Sequence, residues 1–254
     1  MVLESQGMVL KSKQEIALMR DSGHILAEIL AMLLDRITPG MTTAELDAIA
    51  EKETKAHKVK PAFKGYRGFP ACLCISINDE IVHGIPGNRV MVEGDVVSID
   101  AGVIYQGFYS DSAVTVALGA VPPETDRLIA TTRDALYAGI TAARPGARMG
   151  DVSSTIQRVI EEQHFGVVRK YVGHGIGRQL HEEPSVPNFG KPGMGLVLRP
   201  GLCIAIEPMV TVGDWRTREL ADGWTVSTAD GSLAAHFEHS LVVTEHGPEI
   251  LTVC

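Results

Sequence analysis

Cysteine is scarce, with four in 254 residues, too few to staple a disulfide scaffold of this length. The one close pair, Cys72 and Cys74, is a lone CxC. At strand spacing it puts two side chains on one face and does not build a zinc knuckle; buried reduced thiol is the reading for Cys203. Long apolar runs are missing as well. The longest, ILAEILAMLL, falls short of the roughly 20 residues a membrane helix needs and carries Glu28. The opening stretch, MVLESQGMVLKSKQE, has no apolar signal-peptide core, so a cytoplasmic protein is expected. Basic charge is in deficit, 23 Lys and Arg against 31 acids for a formal −8. That speaks against a nucleic-acid surface, and neither a DNA nor a membrane partner is expected. No long Pro, Ser or Gly linker divides the chain, which favours one domain over 1–254.

Helical and strand patterns are what the chain does have. Residues 13 to 36, through Ile16, Met19, Ile25, Ile29, Met32 and Leu33, carry a helical apolar period that stops before Pro39-Gly40. A second helix follows in MTTAELDAIAEKETKAH, capped by Thr42 or Thr43 with acids in its first turn. Short strand-like runs come next: CLCISI, VVSIDAGVI and SAVTVALG. After Pro122-Pro123 the pattern restarts with a helix through Leu128, Ala135, Leu136 and Ile140, ending again at Pro-Gly.

The restart is an internal repeat. PGMTTAELDAIAEKETKAH at 39 resembles PGARMGDVSSTIQRVIEEQH at 145, HGI at 83 recurs at 174, and GDVVSIDAGV at 94 recurs as GLCIAIEPMV at 201. Each match is weak alone, but all three are collinear. Two related α+β halves are expected, about 1–120 and 121–254, sharing one sheet with pseudo-twofold symmetry.

Within the repeat lies a costly feature. Asp100 interrupts a strand that otherwise reads as interior, and an unpaired buried carboxylate is avoided, paired or given to a metal. Asp111 flanks the same hairpin. A turn centred on Tyr105-Gln106 places the two acids opposite each other, Cβ atoms about 5 Å apart; a turn at Gln106-Gly107 makes them diagonal neighbours on the same face. By the repeat, Glu207 corresponds to Asp100 and Glu238 to Asp111. His174 lies among glycines in GHGIGRQLHEEP, and its repeat partner is His83 in VHGIP. His181 rests on weaker internal support. The other six histidines, His24, His57, His164, His236, His239 and His246, read as ordinary surface or core residues. Four carboxylates and an imidazole make a hard, oxygen-rich site too acidic for one small ion. Two divalent cations about 3.5–4 Å apart suit it, and ligand type leaves magnesium, manganese, iron, cobalt and zinc open.

Five stretches then resemble a known family, the type I methionine aminopeptidases of the duplicated pita-bread metallopeptidase fold. They are GYRGFPACLCISINDEIVHGIP, GDVVSIDAGVIYQGFYSDSAVTV, YVGHGIGRQLHEEPSVPNFG, LRPGLCIAIEPMV and DGWTVSTADGSLAAHFEHSLVVTEHGPEIL, in family order over nearly the whole chain. The resemblance implies an α+β fold with a central antiparallel sheet and flanking helices. It implies that Asp100, Asp111, His174, Glu207 and Glu238 bind two divalent metal ions (cobalt, manganese, iron or zinc), with Asp111 and Glu238 bridging. The implied reaction is removal of N-terminal methionine from nascent proteins by a metal-bridged hydroxide. Glu207 would shuttle the proton, His181 would steady the carbonyl oxygen, and His83 would contact the scissile amide. Tyr66, Phe69, Cys74 and Trp224 match the methionine pocket, where aromatics and a thiol suit a thioether. Leu180, Phe63 and the Phe of PNF depart from the usual family residues, and the first two bear on the pocket's shape. The lack of a long Cys-rich N-terminal extension looks bacterial. A monomer acting on nascent N-termini is expected, a ribosome contact being left open. The rival readings are an Xaa-Pro peptidase of the same fold and a non-catalytic relative used as a binding platform.

Overall fold

Helices form where the apolar period runs. The computed structural model describes residues 8–254, so the first seven residues of the opening stretch, expected to lack a signal core, lie outside the described residues. Helix α1 (Lys13–Arg36) opens on a capping box between Ser12 and Glu15 and buries Met19, Leu26, Leu30 and Leu33. Of the two threonines offered as caps for α2 (Thr43–Ala56), Thr42 takes the role, its extended backbone letting its hydroxyl accept from Glu45 N. Helix α3 (Pro123–Ala142) starts on a proline whose missing N–H costs nothing in the first turn, and α4 (Met149–Glu162) follows it. Among the described residues no helix is long and apolar enough to cross a membrane.

Fifteen strands follow in chain order among the described residues. The first half carries β1 (Lys60–Pro61), β2 (Leu73–Ile77), β3 (Glu80–Val82), β4 (Val96–Tyr105) and β5 (Phe108–Ala117). The second carries β6 (Gly166–Val167), β7 (Gly173–Gly175), β8 (Glu182–Val186), β9 (Cys203–Ile206) and β10 (Met209–Thr211). It continues with β11 (Thr217–Glu219), β12 (Val226–Thr228), β13 (Ala234–His236), β14 (Glu238–Thr244) and β15 (Gly247–Ile250). One sheet runs through both halves in the order β1-β4-β5-β14-β9-β7-β8, with β2 also on β4 and β15 on β14. The central four strands read β4-β5 and then β14-β9, so the second hairpin repeats the first in reverse order about the β5/β14 seam. That is the twofold relation the repeat predicts.

Each helix pair covers the same face of this sheet. Val97, Ile99, Ala101 and Val103 of β4 pack with Leu26, Leu30 and Leu46 of α1 and α2, and Ile204, Ile206, Leu241 and Val243 pack with Leu136 and Ile156 of α3 and α4. Because side chains alternate along a strand, the residues between them all point to the other face: Ser98, Asp100 and Gly102, then Ala205, Glu238 and Ser240. The helices therefore dispose of the apolar face and leave the acidic one for the site.

Two expectations bear on the site, the first settled between its two alternatives and the second corrected. Tyr105 pairs with Phe108, so the β4–β5 turn is Gln106-Gly107, both at positive φ (48° and 84°) as a tight two-residue hairpin demands. Asp100 thus faces Ala113 and Asp111 faces Gly102, making the acids diagonal, not opposed. The second concerns HGI. His174 lies on β7, which pairs with β9 as β2 pairs with β4. His83 instead follows β3 in a segment that runs along the far side of β2, where Ile75 N donates to Gly84 O. By strand position His83 answers to the stretch around β8, beside His181, and not to His174.

Candidate metal centre

Register builds the site floor as two adjacent rows. In one, Cys74 of β2 faces Asp100 of β4, Asp100 faces Ala113 of β5, and Ala113 faces Glu238 of β14. In the next, Gly102 faces Asp111, Ser240 exchanges hydrogen bonds with the Asp111 backbone at 2.8 and 2.9 Å, Ser240 faces Ala205, and Ala205 faces His174. Glu207 lies one residue past β9, on the same face as Ala205. Ala113 thus separates Asp100 from Glu238, and Ser240 with Ala205 separates Asp111 from His174, so small residues leave room between the charged groups.

The four carboxylates and His174 converge. His174 Nε2 lies 3.9 Å from Asp111 Oδ2, 3.7 Å from Glu207 Oε1 and 3.9 Å from Glu238 Oε1. These separations exceed a hydrogen bond and surround a common centre. One donor atom each from Asp111, His174 and Glu238 lies within 4.8 Å of the others, all three residues buried. His174 Nδ1 is 2.9 Å from Gly175 O, so that nitrogen donates and the Nε2 lone pair faces the acids, as a metal-ligating imidazole requires.

Without a cation the cluster is electrostatically unfavourable. Burial first, then repulsion from Glu207, pushes the Asp100 carboxyl up to about 7, and burial pushes Glu207 up to about 7. Asp111 and Glu238 are driven well above the ordinary carboxylate range by burial first, then by neighbouring charge, that of Asp100 and Glu207 on Asp111 and that of Asp111 and Glu207 on Glu238. Asp100 Oδ1, Asp111 Oδ1 and Glu238 Oε1 are buried with no hydrogen-bond partner. Orphaned carboxylate oxygens are expensive, and divalent cations are the chemistry that satisfies several at once. The donor set fits such ions.

Beside the floor stands an apolar wall enclosing a cavity of about 180 Å³ lined by Phe63, Tyr66, Phe69, Cys74, Leu180 and Trp224 with His83, His181 and the four acids. Phe69 packs edge-on against Trp224 at 5.1 Å between ring centroids, and His83 meets Trp224 edge-on at 6.4 Å. Asp222 accepts from Trp224 N at 2.8 Å and pins that loop. Phe63 and Leu180 are both part of the buried wall, so the two departures from the family residues do sit where they shape the cavity. His83 is held at φ 61°, in the left-handed region, and burial lowers its imidazole pKa to about 4. His181 stands exposed at the rim, its ring 4.2 Å from that of His174, with Tyr66 Oη 2.9 Å from its Nδ1. Its covered inner face, then His174 and Arg67, lower its basicity, a shift that solvent on the outer face moderates.

All eleven candidate residues therefore meet at one place. Two others do so without having been singled out. His236, read from sequence as an ordinary histidine, is buried with Nε2 3.6 Å from Glu207 Oε2. Its position two residues before Glu238 was the available signal, since alternate strand residues share a face. Asn188 donates from Nδ2 to Glu207 O at 2.9 Å and is fully buried.

A mixed α/β scaffold with a sheet-borne cluster of four acids and an imidazole defines a metal-dependent hydrolase class, and comparison with known proteins agrees. The model of metallopeptidase family M24 matches residues 17–245, and the chain belongs to that family. Within it the similar relatives are methionine aminopeptidases. The Clostridium perfringens enzyme is 49% identical over 97% of this chain and 99% of its own length. The Thermotoga maritima methionine aminopeptidase structure matches at TM-score 0.96 and 46% identity, over 97% of this chain and all of that one. The Pyrococcus horikoshii prolidase matches at TM-score 0.76 and 23% identity, over 96% of this chain and 63% of its own, a likeness of fold alone.

Proposed function

We propose that this chain removes the N-terminal methionine from nascent proteins and peptides as a dinuclear metallo-aminopeptidase, with residues 1–254 forming a single catalytic domain. The observation that carries the reading is the set of orphaned carboxylate oxygens on a strand-built floor beside an apolar wall. Asp100, Asp111, His174, Glu207 and Glu238 would hold two divalent ions. Iron, cobalt, manganese and zinc all suit the donors. When bound, such ions polarise a carbonyl and make water acidic enough to supply a nucleophile near neutral pH.

The chain's own residues do the rest. Glu207, with one oxygen toward His174 and the other toward His236, takes the proton from the attacking water and passes it to the leaving amine. Tyr66 donates its hydroxyl proton to His181 Nδ1, which leaves Nε2–H free to meet the carbonyl oxygen as charge develops there. His83, kept neutral by burial, contacts the scissile amide. Phe69, Cys74, Trp224 and Tyr66 enclose the methionine thioether, exclude water and fix the substrate's register. The enzyme is read as a cytoplasmic monomer acting on nascent N-termini, with small second residues preferred.

The deciding assay loads the protein with cobalt, manganese or iron and offers Met-Ala-Ser and Xaa-Pro substrates side by side. Cleavage of Met-Ala-Ser is expected. Turnover of Xaa-Pro substrates alone would assign the chain to the prolyl peptidases of this fold, and no bound metal with no turnover would make it a non-catalytic relative.

A further inference from the structure

His236 is the one histidine of this region that the aminopeptidase reading leaves without a task, and the role assigned to it here rests on that reading. It is 1% exposed, and neither ring nitrogen has a hydrogen-bond partner. Leaving buried donors and acceptors unpaired is costly, so a fold does not place an imidazole here for stability alone. The backbone around it is held firmly. His236 N donates to Thr115 Oγ1 at 2.9 Å, Thr115 Oγ1 donates to His236 O at 2.7 Å, and Ser98 Oγ lies 2.8 Å from that same Thr115 oxygen. His236 also pairs with Met209 across β10 and β13. A tightly fixed strand thus presents an unsatisfied ring, whose Nε2 lies 3.6 Å from Glu207 Oε2.

Glu207 itself is gripped on its other sides. Asn188 holds its backbone carbonyl at 2.9 Å, and Oε1 faces His174 Nε2 at 3.7 Å. Oε2 is the oxygen left over, and the ring of His236 is the group that meets it. We propose that His236 is a positioning residue for Glu207: its Nε2–H donates to Oε2, fixing the carboxylate so that Oε1 stays with the His174 side of the centre. The gap is a few tenths of an ångström longer than a hydrogen bond, and such contacts commonly tighten once the site is loaded. The effect is to remove the carboxylate's rotational freedom, leaving its proton-accepting oxygen in one place. Partners of this kind, which orient ligands without binding the ion, are commonly worth 10–100-fold in activity or affinity.

The test compares wild type with His236→Gln, which keeps a donor near the Nε2 position, and His236→Leu, which fills the space without one. Three readings are taken: kcat and KM on Met-Ala-Ser, metal equivalents bound, and the visible spectrum of the cobalt(II)-loaded protein. Melting of the metal-free variants checks that they fold. For His236→Leu the expected result is a kcat lower by about tenfold or more, with KM within about twofold and metal equivalents equal to wild type. Its cobalt spectrum should shift as Glu207 reorients. His236→Gln should recover most of the kcat and the wild-type spectrum. Unchanged kcat and spectrum in His236→Leu, or equal loss in Leu and Gln variants, would overturn the positioning role. Loss of a metal equivalent in His236→Leu would overturn it too, making His236 a ligand. If wild type binds metal yet leaves Met-Ala-Ser intact, the peptidase reading fails, and the cobalt spectra still decide the role of His236.

Discussion

The floor and the wall of the cavity are built on opposite principles. Asp100, Asp111, Glu238 and His174 stand on strands of one sheet, their spacing fixed by register and their backbones hydrogen-bonded on both sides. Tyr66, Trp224, His83 and His181 stand on turns and loops: a left-handed turn around Arg67, a loop pinned by Asp222, a strained position at φ 61° and an exposed rim. A cluster of like charges needs a rigid mount, because a few tenths of an ångström decide whether an ion satisfies every oxygen. A pocket for a flexible thioether tolerates adjustment, and loops suffice. Floor variants should therefore fail in metal binding or chemistry, and wall variants in substrate binding.

The largest effect is expected at the floor. Glu207→Ala should lower kcat by about 10²–10⁴-fold, the range for removing a positioned proton-transfer group, with weaker metal binding measured by calorimetry. Ala113→Leu sharpens the same contrast. Its side chain would stand between Asp100 and Glu238, and metal affinity should fall by about tenfold or more while the metal-free protein loses about 1–3 kcal/mol from overpacking. A loaded, active Ala113→Leu variant would mean that the small residues between the acids do not make room for the ions.

His181→Ala lies between the two classes. It should cut kcat by about 10²-fold, as loss of one donor to a developing oxyanion does, and leave metal equivalents intact. Equal metal loss in Glu207→Ala and His181→Ala would erase the distinction between floor and rim.

Chelation tests the floor by another route. The folded-state pKa values of Asp100 and Glu207 are raised from 3.8 and 4.5 to about 7. Between pH 4 and 7 the metal-free folded chain accordingly holds protons that the unfolded chain has released, so its stability is full below about 4 and is lost as pH rises through about 7. Surface acids such as Glu15 in the α1 cap and Asp230, held by loop N–H groups of Asp214 and Ser232, have lowered values and pull the other way, but solvent screens them. The chelated protein should melt at least about 5 °C lower at pH 8 than at pH 5. Added metal should reverse the order, since it binds the ionised carboxylates.

The smallest effect belongs to the wall. Trp224→Ala removes the ring packed on Phe69 and His83 and should raise KM for Met-Ala-Ser by about tenfold, one large apolar contact being worth roughly 1–3 kcal/mol. Metal equivalents should not change. A fall in kcat with KM constant would show that the wall aligns the chemistry and does more than hold the side chain.

Legibility followed the same division. Asp100 and Asp111 could be found because strand alternation is written in the sequence, and Glu207 and Glu238 because the repeat copies that alternation. The bounds of α1 were readable from its apolar period, and the start of α2 from its pair of candidate threonine caps; the Ser12 cap of α1 was not read. Register was not: one residue's shift in the hairpin centre changed Asp100 and Asp111 from opposed to diagonal, and only the paired φ values of Gln106 and Gly107 settle it. Likewise HGI at 83 and 174 are equal strings in unequal places. Tyr66, Phe69 and Trp224 came from resemblance alone, because loops carry no period; Cys74 did so too, although it stands on β2 opposite Asp100.

What the sequence by itself determined, then, is which side chains share a face, since helix and strand periods are local properties of the backbone. It determined that the chain would bury acids it could not otherwise satisfy. Which faces meet was decided by the tertiary structure. Residues as far apart as Asp100, His174 and Glu238 come together only when β5 pairs with β14 across the seam between the halves. The same closure brings His236 to Glu207, a contact no local rule contains, because long-range pairing depends on the burial of both helix-covered faces at once.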